Sequence, residues 1–208
     1  MTDSEEYSAI ILAGGKSSRM GRPKADLPMG GASMLDYVIS SLMPAFDEIV
    51  VAVAQPRRYA WETYLTRSIV DDQPHRGPVG ALEQALREIR FSRAFVCSCD
   101  VPLVDADLAR KLCEMLGDDE DALIPEVDGK LQMLHGVYRK KSATLLAKMR
   151  AAGENRLHRI VDFAKVRIVP EDRIRAIAPD PALLSFFNVN TPEDYQRALT
   201  LMDEKYKM

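Results

Sequence analysis

The chain has 208 residues, of which 47% are hydrophobic and 28% charged, with a formal net charge of −3. This supports one sizeable core in a single domain spanning residues 1–208, and the slight acidity, without a basic stripe, argues against a nucleic-acid partner. Three cysteines are too few and odd in number for a disulfide framework, no apolar run approaches the roughly 20 residues that cross a bilayer, and the acidic N-terminus lacks a secretory pattern, so a cytoplasmic protein with no membrane partner is expected.

Apolar strand-like runs alternate with helical patterns along the chain. A first strand, Ser8–Leu12, leads into Ala13, Gly14 and Gly15. Met34–Leu42 has apolar residues at helical spacing, with Ser33 as a plausible N-cap and Pro44 beyond its end. Glu48–Ala54 reads as a buried strand, and Ser68–Val70 as a short one ending at Asp71 and Asp72. Val79–Ile89 is helical, with Pro78 suited to its first turn. The strand Ala94–Cys99 runs into Asp100, and Leu108–Leu116 is the next helix. Strands follow around Ala122–Ile124 and Met133–Tyr138, then helices at Ser142–Ala152 and Pro192–Glu204. Continuous apolar strands separated by helices predict a three-layer α/β/α fold with a mostly parallel, Rossmann-like sheet. Such sheets bind ligands at the carboxyl ends of their strands. The loops after Leu12, Val70 and Cys99 all leave from such ends.

The first of these loops runs from Leu12 to Lys24. Gly14, Gly15 and Gly21 let backbone approach a ligand, and the exposed N–H groups of such a turn form an anion nest. Lys16, Arg19 and Lys24 add positive charge that suits phosphate oxygens. A P-loop is excluded, since Ile10 stands where its first glycine would be, and the dinucleotide fingerprint does not match. The alternative is a surface turn with scattered basic residues.

Asp100, at the end of an apolar strand, either caps the following helix or reaches into the site as a metal anchor. Magnesium needs only one or two carboxylates, with phosphates and waters completing its shell. Asn188 and Asn190, two residues apart in an extended segment, face the same side. There they would meet an acceptor substrate or a metal's waters. Thr191 and Pro192 read as a helix start. Cys97 and Cys99 lack the companions a zinc site needs and are read as core residues. His75, His135 and His158 form no ligand pair. His75 and Arg76 lie on the loop before Gly77, and His135 lies on a strand that could enter an acceptor pocket.

The run from Leu12 to Gly21 with Pro23 and Lys24 resembles the signature of the molybdopterin nucleotidyltransferases, the family that includes molybdenum cofactor guanylyltransferase and has the nucleotide-diphospho-sugar transferase type of fold. Gly77–Gly80, Cys99–Leu103 and Phe187–Asp194 resemble the same family in the same order. The resemblance implies Mg²⁺ held by Asp100, and catalysis by Arg19, Lys24 and Asp100. It implies nucleotide binding by Leu12, Ala13, Gly14, Gly15, Lys24, Asp72 and Asp100, with Asp72 preferred to Asp71 and an ordinary acidic turn as the alternative. It also implies acceptor binding by Asn188, Asn190 and Arg156, although Arg156 reads equally as a solvated arginine after a helix end.

The implied substrates are GTP and Mo-molybdopterin, with pyrophosphate released and cofactor-receiving oxidoreductases as transient partners. Cytidylyl relatives carry alanine where Gly14 stands, and the absent methyl leaves room for a purine. The alternatives are cytidylyl transfer to the same pterin, nucleotidyl transfer to a sugar phosphate, or a non-catalytic GTP-binding regulator.

Overall fold

The computed structural model describes residues 6–14, 23–55, 63, 65–71 and 77–207. In chain order the strands are β1 (Ser8–Leu12), β2 (Pro28–Met29), β3 (Ala32–Ser33), β4 (Glu48–Val53), β5 (Thr66–Val70), β6 (Arg93–Ser98), β7 (Ala122–Val127), β8 (Lys130–Leu131), β9 (His135–Arg139) and β10 (Val166–Val169). The α-helices are α1 (Met34–Leu42), α2 (Pro78–Glu88), α3 (Ala106–Met115), α4 (Ser142–Ala151), α5 (Glu171–Ile177) and α6 (Pro192–Lys207). None of the described helices is long and apolar enough to cross a membrane.

The main sheet has the order β10-β7-β9-β6-β1-β4-β5, with β8 paired to β7. Strand β1 is central, parallel to β4 on one side and β6 on the other. Side chains alternate between the two faces, as the twofold period of a strand requires. Ala9, Ile11, Val51 and Phe95 pack under α1, α3 and α5, while Ile10, Leu12, Val50 and Val96 pack under α2 and α4. Fully burying each such side chain stabilises by about 1.5–3 kcal/mol. This is the predicted three-layer architecture.

One strand reverses. β9 is antiparallel to both β6 and β7. Only Asp128 to Leu134 separate it from β7, with β8 folded back on β7 through a turn at Asp128 and Gly129, both at positive φ. A connection that short joins antiparallel neighbours, whereas a parallel return needs a dozen residues or more. The predicted strand at Met133–Tyr138 therefore begins at His135, and Gln132 to Leu134 form a connecting segment. The β2–β3 hairpin, β10 and α5 are additions to the sequence-based expectation.

A third apolar cluster closes the carboxyl end of the sheet. Leu27, Met29, Met34, Leu103, Val189, Ala198 and Met202 bring the β2–β3 hairpin and α6 together. Helix α6 starts as expected: Thr191 Oγ1 accepts the Asp194 N–H, and the Asp194 carboxylate accepts the Asn190 and Thr191 N–H groups. Ser33 caps α1 in a reciprocal box with Asp36.

Gly136 sits in β9 opposite Val96. A Cβ there would lie 2.8 Å from both the Leu123 carbonyl oxygen and Ile124 Cδ1. Backbone cannot give way as a side-chain tip can. Gly136→Ala is therefore expected to cost about 1–3 kcal/mol, seen as a lower urea midpoint with an unchanged m-value.

Candidate active site

The strand ends carry the site in register. Leu12 lies beside Ala52 and Ser98, and Val53 beside Val70. Beyond the ladders, Ala13 N–H donates to the Ala52 carbonyl (2.8 Å), Cys99 N–H to the Leu12 carbonyl (3.1 Å) and Asp71 N–H to the Val53 carbonyl (2.8 Å). The backbone donors just past the strands are thus used to hold three loops at one level. Strand order reverses direction around β1, and a crevice opens outside the carboxyl ends at such a switch point.

Lys24 opens a short 3₁₀ turn, Lys24–Asp26. Its ammonium donates to Asp100 Oδ2 and to Asn190 Oδ1, both at 2.8 Å. Ser98 Oγ donates to the other Asp100 oxygen, and the Asp100 carbonyl accepts the Val189 N–H at 2.8 Å. Lys24 and Asp100 side chains keep 18% and 19% of their exposure, so the pair faces a cleft rather than the core. Asp194 supports Asn190 from behind. The Asn190 N–H holds its carboxyl below the usual range, with help from Thr191.

Two cavities meet beside this cluster, at Ser98, which donates to Asp100. The first, about 250 Å³, is lined by Leu12, Gly14, Ala52, Ala54, Asp71, Gly77, Pro78, Ala81, Ser98 and Leu134. The second, about 260 Å³, is lined by Gly14, Ser98, Asp100, Val101, Gln132, Leu134, His135, Phe186 and Asn188. Gly14, Ser98 and Leu134 belong to both, so the two form one cleft with a shared seam. Gly77, the N-cap of α2, has φ +87°, where a side chain is strained.

The sequence-predicted residues divide as follows. Leu12, Gly14 and Asp100 line the cleft, Ala13 closes the end of β1, and Lys24 reaches Asp100. Asn188 lines the second cavity while Asn190 meets Lys24, and Val189 between them is buried in the third cluster. Gly15, Arg19 and Asp72, with Lys16, Gly21, His75 and Arg76, lie outside the described residues. Asp71 lines the first cavity.

Arg156 is not brought to the cleft. Its side chain is 67% exposed and paired with Glu154 at 2.6 Å, and it lines neither cavity. That hydrogen-bonded guanidinium pulls the Glu154 carboxyl down to about 2. The segment does pack near the cleft, since the Asn155 carbonyl oxygen would lie 3.3 Å from a Cβ on Gly77. Cys97, Cys99 and Cys113 are free, buried thiols, pushed upward by burial, Cys99 to about 12. They are core residues, as read.

Ser98, Gln132, Leu134 and Phe186 were not singled out from sequence. Ser98 had a signal, being two positions before Asp100. The others come from a connecting segment and from a 3₁₀ turn, Leu184–Phe186, neither of which has a periodic pattern.

The oxygen-rich set of Asp100 carboxylate and Asn190 amide suits a hard cation. Among the described residues no group of three or more His, Cys, Asp or Glu side chains could hold a metal unaided.

The MobA-like NTP transferase domain matches residues 9–168. The chain belongs to this family. The probable molybdenum cofactor guanylyltransferase of Carboxydothermus hydrogenoformans is 33% identical over 97% of this chain and 99% of its own length. The corresponding protein of Natranaerobius thermophilus is 32% identical over 95% of this chain and 96% of its own. The crystal structure of molybdopterin-guanine dinucleotide biosynthesis protein A from Archaeoglobus fulgidus superposes with a TM-score of 0.76 at 25% identity, covering 95% of this chain and 99% of that one. The chain is a nucleotidyltransferase of this type, and Asn188 and Asn190, beyond the matched domain, fall within the span shared with the full-length relatives.

Lys24→Met would remove the cation that Asp100 and Asn190 share. The loss leaves a carboxylate that is about four-fifths buried without its counter-charge, so the melting temperature should fall by roughly 3–8 °C. Pyrophosphate release should fall at least about 100-fold, measured with a coupled phosphate assay.

Proposed function

We propose that this nucleotidyltransferase transfers GMP from GTP to the terminal phosphate of Mo-molybdopterin, giving the guanine dinucleotide form of the cofactor and pyrophosphate. One observation carries the reading: two cavities share Gly14 and Ser98, and Ser98 at that seam donates to Asp100, which lines the second cavity and ties in Lys24 and, through it, Asn190. A two-substrate transfer needs that arrangement, with one substrate on each side of a charge-compensating centre.

The first cavity, between the ends of β1, β4 and β5 and the start of α2, takes the nucleotide. Asp71 at its rim offers a carboxylate to ribose or base. The second, beside β6 and β9, takes the acceptor, with Asn188 and Gln132 as polar contacts. An acceptor phosphate oxygen attacks the α-phosphorus in line. The new O–P bond forms as the bond to the bridging oxygen breaks, and pyrophosphate leaves with that electron pair. A phosphate monoester carries close to two negative charges near neutral pH, so the attacking oxygen needs no strong base. The protein's task is positioning and charge neutralisation.

Lys24 places its ammonium where negative charge builds on the transferred group. Mg²⁺, held by Asp100 with Asn190 beside it, would supply further neutralisation of the phosphate oxygens. Ser98 orients the Asp100 carboxylate by donating to its second oxygen.

Gly14 supports the choice of purine. A Cβ built on it meets nothing within 4 Å among the described residues, and Gly14 lines both cavities, so the methyl of an alanine would enter the cleft. Gly14→Ala should leave the melting temperature within about 2 °C while raising the KM for GTP severalfold and narrowing the preference for GTP over CTP.

The decisive experiment incubates the protein with Mo-molybdopterin, Mg²⁺ and either GTP or CTP, and identifies the pterin product by mass spectrometry. A guanylylated dinucleotide is expected. A cytidylylated product, or transfer only to a sugar 1-phosphate, would overturn the reading. Asp100→Ala should abolish the product, and retained turnover would remove Asp100 from its assigned role.

A further inference from the structure

The wall of the second cavity contains a buried polar group without a partner. His135 opens β9, is 2% exposed and lines that cavity. Its Nε2 lies 3.0 Å from Ser185 Oγ, while its Nδ1 is buried and makes no hydrogen bond among the described residues. A buried polar atom left unpaired costs about 1–3 kcal/mol. His135 therefore lines the cavity with one ring nitrogen unused.

The identity of that nitrogen follows from Ser185. The Ser185 oxygen already accepts the Asp105 backbone N–H at 3.0 Å. Its hydroxyl proton has His135 Nε2 as its acceptor. If Nε2 instead carried the ring proton, the buried Ser185 hydroxyl would have nowhere to donate among the described residues. Nε2 is therefore the acceptor, and the single proton of a neutral imidazole sits on Nδ1. Burial also keeps the ring neutral by pushing its pKa down to about 3. Phe95 meets the ring edge-on at 5.0 Å between centroids, and Phe186 tilts against it at 4.3 Å.

The surroundings are built to fix this ring. Gly136, the next residue, has no room for a side chain. Ser185 follows Leu183, a buried residue in the left-handed region at φ 53°. Asp180 holds that turn by accepting the Ala182 and Leu184 N–H groups at 2.8 and 2.9 Å. Such strain costs about 1–3 kcal/mol and persists only where the surroundings over-determine it.

We propose that His135 is a substrate-binding residue whose Nδ1–H donates to an uncharged acceptor atom of the pterin, a ring nitrogen or carbonyl oxygen. The apolar surfaces of Val101, Leu134 and Phe186 take the faces of the fused ring. The neutral donor reads its edge. The proposal rests on the reading that the second cavity holds Mo-molybdopterin.

The test has a kinetic arm and a spectroscopic arm. His135→Phe keeps the shape of the ring and deletes both nitrogens. It should raise the KM for Mo-molybdopterin about tenfold, the loss of one well-made hydrogen bond, with the KM for GTP unchanged. His135→Asn, whose amide N–H falls near the position of Nδ1, should recover most of the loss. Equal rises in both KM values, or no change in the pterin KM of a folded His135→Phe protein, overturn the proposal.

The second arm uses the unmodified protein and so does not depend on a variant folding. Long-range ¹H–¹⁵N spectra of the imidazole should show the Nδ1–H form, and the Nδ1 signal should shift on adding Mo-molybdopterin and stay in place on adding GTP alone. An Nε2–H form, or an Nδ1 signal indifferent to the pterin, overturns it. Failure of the functional reading is seen separately, as no pterin-dependent pyrophosphate release by the wild-type protein.

Discussion

The contact on which the site depends is the ammonium of Lys24 shared between Asp100 and Asn190. It joins three stretches remote in sequence: the exit from the first loop, the end of β6 and the lead into α6. Charge-assisted hydrogen bonds of this length are the stronger kind, but a partly desolvated ion pair is weak evidence for stability. Lys24 and Asp100 have given up about four-fifths of their exposure, a cost that a surface pair avoids. On the proposed reading the arrangement makes sense as chemistry: a positive charge and a carboxylate are kept in place, poorly hydrated, where phosphate negative charge would arrive.

The sheet explains why these residues can meet. β1 lies between β4 and β6, and its two neighbours send their following segments to opposite sides. Backbone hydrogen bonds from Ala13, Cys99 and Asp71 back onto adjacent strands bring the loops out at one level. Asp100 is placed by β6 and again by the Val189 N–H on its carbonyl, so the strand and the α6 lead-in determine its position together. The reversal of β9 matters equally. It turns Gln132 to Leu134 toward the crevice, where Tyr138 Oη donates to the Met133 carbonyl at 2.8 Å and steadies the segment.

Legibility in the sequence followed local determinism. β1 and α1 have the predicted limits because a continuous apolar run, Ser33 and Pro44 all act within a few residues. The cores of β4, β6, α2, α3 and α4 were readable for the same reason. β10 was not: Val166–Val169 is four residues long, half-exposed and carries Arg167, and its pairing with β7 is a tertiary fact. The direction of β9 depends on the length of a connection, and the apolar run alone does not encode it. In the site, Asp100 was legible from its place after a strand, Asn188 and Asn190 from their place before a helix start, and Lys24 from the basic, glycine-rich loop it closes. Ser185 was invisible, being fifty residues from His135 in a stretch without periodicity. Arg156 shows the converse: its guanidinium turns to Glu154 and lines neither cavity.

On the proposed reading, the two halves of the cleft hold their substrates by different physics. On the nucleotide side Gly14 and Gly77 contribute mainly by having no side chain, which brings backbone close to a ligand whose charge is then met by Lys24. Phosphate is recognised there through charge, which tolerates small displacements because Coulomb attraction falls slowly with distance. On the acceptor side the wall is buried and neutral, with His135, Ser185 and the Asp105 N–H forming one chain of hydrogen bonds. Neutral hydrogen bonds are short-ranged and directional, and a site whose donor is left unmatched discriminates strongly against a ligand lacking the partner atom. That difference accounts for where the structure accepts strain. A charge can be placed by a flexible lysine, but a directional donor needs a ring that cannot move, and Leu183, Gly136 and the flanking phenylalanines supply that rigidity.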